Sequence, residues 1–192
     1  MMGREFELKY RATPETMEKI REAYGAFSEV SMETTYYDTF DRKLMMHHWT
    51  LRRRLENGVS VCTFKRPLED GSRAEWECEA VSIMEGVFQL CQMGADWELM
   101  RATAGGVMPV CGAKFTRLAK TIEREDCAVE LALDRGILTG GSREQPLCEV
   151  EVELKSGSDA AAEAFAAALA EEYGLIPEPD SKYRRALLLS MG

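Results

Sequence analysis

The chain has 192 residues, of which 30% are charged and 45% hydrophobic, and its 24 basic and 33 acidic residues give a formal net charge of −9. That length suits a single domain, 1–192, with enough apolar material for a real core. The acidic excess argues against a duplex nucleic acid binder or a protein that adheres to anionic lipid, and no run approaches the roughly 18 apolar residues of a membrane span.

The N-terminus, Met1-Met2-Gly3-Arg4-Glu5, meets charge at once and lacks the apolar stretch of a signal peptide, so a cytoplasmic protein is expected. From Glu5 to Arg11 charged and apolar residues alternate, which predicts a strand. Thr13, Pro14 and Gly25 then supply an N-cap, a first helical residue and a stop for a helix. Thr34 to Phe40, Thr50 to Glu56 and Val59 to Lys65 read as strands, the last two joined by the hairpin dipeptide Asn57-Gly58. Arg73 to Ala80 alternates again. Ser82 and Glu85 form a capping box for a helix to about Gln92, and a short helix follows over Asp96 to Ala104. Strands return at Lys114 to Glu125, Cys127 to Leu133 and Leu147 to Lys155, with Asp134-Arg135-Gly136 and Gly140-Gly141-Ser142 read as turns. Ser158 starts a helix that Gly174 ends, and a final helix covers Ser181 to Leu189. The hairpin-linked strands predict a mainly antiparallel sheet.

The six cysteines have no metal or redox spacing and are expected to be free thiols. The two histidines, His47 and His48, are adjacent, which disfavours a histidine-based triad or metal site; any metal should be held by carboxylates.

One face of nearly every strand is charged. Glu5, Glu7 and Lys9 share a face, as do Arg52 and Arg54, then Glu75, Glu77 and Glu79, then Glu130 and Asp134, and finally Glu149, Glu151, Glu153 and Lys155. A solvated sheet face explains any one of these. Repeated same-face carboxylates repel one another unless a positive charge sits among them, and hard oxygen ligands suit Mg²⁺ or Mn²⁺. Arg52, Arg54, Lys65 and Arg117 can grip phosphate oxygens. A barrel with this face inward would hold both parts of a metal–polyphosphate complex.

Glu5-Phe6-Glu7-Leu8-Lys9 resembles the ExExK signature of the CYTH family, the triphosphate tunnel metalloenzymes. Tyr37-Asp38-Thr39, Leu51-Arg52-Arg53-Arg54, Thr63-Phe64-Lys65-Arg66-Pro67, Arg73-Ala74-Glu75-Trp76-Glu77, Lys114-Phe115-Thr116-Arg117, Leu133-Asp134-Arg135-Gly136, the Glu149 to Lys155 strand and Ser181-Lys182-Tyr183 follow in the family's order, nearest to its bacterial inorganic triphosphatase branch. The resemblance implies an α+β fold: a closed antiparallel barrel of about eight strands forming a charged tunnel, with helices packed outside. It implies Mg²⁺- or Mn²⁺-dependent hydrolysis of inorganic triphosphate, a small anionic substrate. It assigns catalysis to Lys65, Glu7 and Glu151, and substrate binding to Lys9, Arg52, Arg54, Lys65, Arg117 and Lys182, with Arg73 and Lys114 as further contacts. It assigns the metal to Glu5, Glu7, Glu149, Glu151 and Glu153, with Glu77, Glu130 and Asp134 as acidic tunnel positions. Thiamine triphosphate hydrolysis, ATP cyclisation and non-catalytic triphosphate binding are the alternatives. A homodimer is compatible with all of them. Because the chain ends soon after Tyr183, the additional helical polyphosphate-binding domain of some relatives is not expected.

Overall fold

Alternation sorts the residues of each strand onto two faces, and the helices before the last cover the outward apolar one. A computed structural model describes residues 3–69 and 73–191, with side chains from Phe6 onward. In chain order the elements are β1 (Gly3–Glu5), β2 (Glu7–Arg11), α1 (Pro14–Tyr24), β3 (Ser28–Asp38), α2 (Lys43–Met46), β4 (Thr50–Glu56), β5 (Val59–Pro67), β6 (Arg73–Glu79), α3 (Ile83–Gln92), α4 (Trp97–Thr103), β7 (Met108–Glu123), β8 (Cys127–Gly140), β9 (Arg143–Gly157), α5 (Asp159–Tyr173), β10 (Ile176–Pro177) and α6 (Lys182–Met191).

The strands form one ten-stranded sheet in the order β1-β6-β5-β4-β3-β7-β8-β9-β2-β10, and every neighbouring pair is antiparallel. The prediction of about eight strands undercounts because the N-terminal strand breaks at Phe6 and β10 has only two residues. Residues 3–5 pair with β6, while residues 7–11 pair with β9. The hydrogen-bonded ladder therefore does not run continuously around the molecule. Phe6 alone separates the two pieces, and its carbonyl accepts the Leu154 N–H at 2.9 Å.

Three apolar clusters fix the layers. Ile20 of α1 and Phe165 and Leu169 of α5 pack on Leu131, Leu133, Val150 and Val152, the apolar parity of β8 and β9. Leu44 of α2, Val87 and Leu90 of α3 and Leu99 of α4 pack on Leu51, Phe64 and Trp76 of β4–β6. Ala186 and Leu187 of α6 pack against Tyr36, Phe115, Leu138 and Leu147. No helix among the described residues is long and apolar enough to cross a membrane.

Local chemistry accounts for most boundaries. Thr13 accepts the Thr16 N–H at 3.2 Å, and Gly25 ends α1 at φ 75°. The hairpin residues Asn57 and Gly58 sit at φ 49° and 89°, as its two-residue turn requires. Ser82 accepts the Glu85 N–H at 3.2 Å, and the Glu85 carboxylate accepts the Val81 N–H at 3.2 Å. The six cysteines are free.

Asp134-Arg135-Gly136 is not a turn. It lies inside β8, where Asp134 faces Glu149 and Gly136 faces Leu147 on β9. A Cβ on Gly136 would meet the Lys114 carbonyl oxygen at 2.1 Å, so the glycine serves a close strand approach. α2 has no counterpart in the predicted elements. It is organised by Asp38, a fully buried carboxylate that accepts the N–H groups of Thr39, Leu44 and Met45 at 2.7, 2.9 and 3.2 Å.

Candidate active site

The charged parity of the strands encloses a cavity of about 860 Å³. Its charges are sorted by strand. β4, β5 and β6 bring Arg52, Arg54, Lys65 and Arg73, together with Glu56, Glu75 and Glu77. β2, β8 and β9 bring Glu7, Lys9, Glu130, Glu151, Glu153 and Lys155. β3, between the two halves, contributes Ser28, Val30, Met32, Thr34 and Tyr36, and β7 adds Phe115 and Arg117. The segment before and at the start of α6 adds Asp180, Lys182 and Arg184. Among the described residues nine basic and eight acidic side chains line the cavity, so the chain's acidic excess is not found there.

The register explains this sorting. Glu7 on β2 faces Glu153 on β9, which faces Glu130 on β8, so three carboxylates stand in one row across three strands. Lys155 reaches Glu153 at 2.9 Å and Glu130 at 3.8 Å, and Lys9 reaches Glu7 at 3.2 Å. Across the cavity, Glu75 lies 3.4 Å from Lys65 and 3.8 Å from Arg52, while Glu77 lies 3.6 Å from Arg54 and accepts the Thr63 hydroxyl at 3.0 Å. The Arg52, Arg54 and Lys65 side chains are 13–16% exposed, desolvated enough to bind an anion strongly yet still open to one. Burial and the neighbouring Arg52 both press the Arg54 guanidinium below its ordinary pKa, a cost that an anion between them would relieve.

On the same charged parity, deeper than the lining residues, lies a denser group. Asp134 and Glu149 are fully buried and Glu151 is 7% exposed; one carboxylate oxygen from each lies within 4.8 Å of the others. Asp134 accepts two N–H groups of Arg117, Nε at 2.8 Å and Nη2 at 2.7 Å. Lys182 Nζ lies 2.8 Å from Asp134 and 2.6 Å from Glu151, and also bonds Glu149. Arg185 bonds Glu149 from the far side and approaches Glu178 at 3.6 Å. Burial pushes the Glu149 carboxyl up to about 7 against the opposing pull of Lys182. Burial works in the same sense on Glu151, but Lys182 and Arg117 outweigh it and hold that carboxyl well below the usual range.

The structure thus brings Glu7, Lys9, Arg52, Arg54, Lys65, Arg73, Glu77, Arg117, Glu130, Glu151, Glu153 and Lys182 to one cavity. Asp134 and Glu149 are not among the lining residues. Lys114 is not brought there: it has the opposite parity to Phe115 and Arg117, is 71% exposed, and sits 3.9 Å from Glu33. The Glu5 side chain lies outside the described residues. Six charged participants escaped the sequence-based site list: Glu56, Glu75, Lys155, Asp180, Arg184 and Arg185. Glu56, Glu75 and Lys155 carry a signal, since each continues the parity of an assigned neighbour. Arg185 carries none, because only the docking of α6 brings it to Glu149.

The sequence matches the CYTH domain over residues 3–187. The chain belongs to the CYTH domain family. An inorganic triphosphatase of Haemophilus influenzae is 26% identical over 196 residues, a match that covers 98% of this CYTH chain and 56% of that protein. The chain therefore spans little more than half the length of this curated relative. The fold is shared with a protein from Pyrococcus horikoshii OT3, at 25% identity and TM-score 0.63, covering 98% of this chain and 99% of that one. It is also shared with a Hippeastrum protein described as having a dominant triphosphatase activity, at 16% identity and TM-score 0.64, covering 94% and 93% of the two chains.

Proposed function

We propose that this CYTH chain is a metal-dependent hydrolase that splits inorganic triphosphate into pyrophosphate and phosphate, inside a barrel tunnel completed by the split N-terminal strand. The observation that carries the reading is the cavity's charge pattern: a basic half that can hold a chain of phosphates beside a half with three carboxylates in one row. A triphosphate offers phosphate oxygens and nothing else, and this lining asks for nothing else. Of the aromatic side chains that line the cavity, Tyr36 and Phe115 are 3% and 7% exposed, Phe115 already has Arg117 and Lys182 over its ring, and Tyr183 packs on Tyr36 with ring centres 5.1 Å apart.

Glu7, Glu153 and Glu130 fit a hard divalent ion, being oxygen donors in register whose mutual repulsion a cation would offset. Glu151 and Glu77 border the same space. Bound there, Mg²⁺ or Mn²⁺ would offset charge on the phosphate oxygens and lower the pKa of a coordinated water. The chain's own residues supply the rest. Arg52, Arg54 and Lys65 hold the phosphates, with Lys9 and Arg117 across from them. Glu7 and Glu151 orient the attacking water. Water oxygen bonds to the terminal phosphorus as the bond to the bridging oxygen breaks, and Lys65 stabilises the charge that develops on the leaving pyrophosphate. No nucleophilic side chain is required.

Purified protein with Mg²⁺ or Mn²⁺ should release phosphate from tripolyphosphate with a kcat/KM at least tenfold above that for thiamine triphosphate or ATP, and EDTA should abolish the reaction. Cyclic AMP formation from ATP, or faster turnover of thiamine triphosphate, would assign the cavity to an organic triphosphate instead.

A further inference from the structure

We propose that two copies of this chain associate about a two-fold axis at the α6 end of the barrel, each seating its Phe40 ring in an outer groove of the other. The inference stands apart from the proposed activity. Phe40 is 91% exposed, yet the loop that carries it is fixed. Asp38 and Thr39 beside it are buried, and the Asp38 carboxylate accepts the N–H groups of Thr39, Leu44 and Met45 on either side of the ring. A large apolar side chain held out on an ordered loop loses little freedom when it is covered. Other apolar residues share this end. Met46 closes α2, Met108 pairs with Asp38 at the start of β7, and Leu188 and Met191 lie on the solvent side of α6, whose last turn crosses the β8–β9 turn at Gly141. These four are 43–62% exposed. With Phe40 they leave on the order of 600 Å² of apolar surface in water, as much as the largest patches of ordinary monomers, and a standard interface takes about 800 Å² from each partner.

The receiving groove adjoins this patch. Between the helix layer over β8–β9 and the layer over β4–β6, a groove of about 560 Å³ stays open on the outer face of β3, β7 and β8. Pro109, Val110 and Ile137 line it, and Gly112 leaves its floor without a side chain. It ends at Gly140 and Gly141, against the last turn of α6. Knob and groove therefore belong to one end of one molecule, and a two-fold axis between them makes each contact twice and closes the pair. The charges favour the same occupant. Glu33, Lys114 and Glu144 border the groove, and Asp41 and Lys43 flank Phe40 in sequence. Both signs stand on both surfaces, so the patch is complementary to itself, with an apolar centre and a polar rim. An anionic lipid surface calls instead for a basic excess.

Sedimentation equilibrium from about 1 to 100 μM tests the pairing, with wild type, Phe40→Glu, Ile137→Lys and Phe88→Glu. Wild type should dimerise in this range, and Phe40→Glu and Ile137→Lys should each weaken the dimer at least tenfold. An equimolar mixture of those two variants should re-associate, since one ring-in-groove contact is intact and the other becomes a Glu–Lys pair. Phe88→Glu alters an apolar residue exposed elsewhere, on α3, and should leave Kd within twofold. Circular dichroism verifies folding; Phe40 is solvent-exposed, so Phe40→Glu decides alone if Ile137→Lys does not fold. Wild type that stays monomeric at the highest concentration overturns the proposal. So does a dimer that Phe40→Glu leaves intact, an equal loss in Phe88→Glu, or a species that grows beyond two copies. A monomer that floats with phosphatidylglycerol vesicles would assign this end to lipid and overturn it as well.

Discussion

Lys65→Ala is expected to slow phosphate release from tripolyphosphate by about 10²–10³-fold, the usual loss when one donor to developing charge is removed from a desolvated site. Lys65 ends the inward-facing run of β5, 13% exposed and 3.4 Å from Glu75. Its removal leaves Glu75 within 3.8 Å of Arg52, so the carboxylate keeps a cation and Tm should change by no more than a few degrees. Lys114→Ala is the matched control. It removes the same charge from the outer face of β7 and should leave the rate within twofold of wild type. Steady-state assays of the two variants decide the matter, and equal effects would remove Lys65 from the reaction.

The largest effect on stability is expected one residue away and on the other face. Phe64 is fully buried, edge-on to Trp49 at 5.3 Å and stacked on Trp76 at 5.7 Å. Phe64→Ala should lower the unfolding free energy by about 3–5 kcal/mol, since the neighbouring rings can only partly close the void. For a chain of this size that is a fall in Tm of roughly 6–20 °C, measurable by calorimetry. A fall of less than about 2 °C would mean that the layer of α3 and α4 over β4–β6 does not pack as described. Neighbouring residues on β5 thus serve different ends, Lys65 the chemistry and Phe64 the wall that aims it.

The parity of each strand could be read in the sequence because a period of two is a local property. That is why Arg52, Arg54, Lys65, Glu77, Glu151 and Glu153 all reach the cavity. The same rule, applied strictly, also excludes Lys114, three residues from Arg117 and hence on the opposite face. What could not be read locally is which strands stand side by side. The row Glu7–Glu153–Glu130 joins β2 to two strands that follow it by more than a hundred residues, and that pairing cannot be read locally. Asp134-Arg135-Gly136 has the composition of a turn, but the long β7–β8 pairing overrides local preference, and its glycine answers to the Lys114 carbonyl. The roles of Lys182 and Arg185 depend on where α6 docks, which no spacing in the sequence declares.

The measurement that tests the account most directly is a crystal structure with tripolyphosphate and Mn²⁺, using anomalous scattering to locate the manganese. The account predicts manganese against Glu7 and Glu153 and phosphates against Arg52, Arg54 and Lys65. Phosphates bound away from Arg52, Arg54 and Lys65, with manganese away from Glu7 and Glu153, would contradict it.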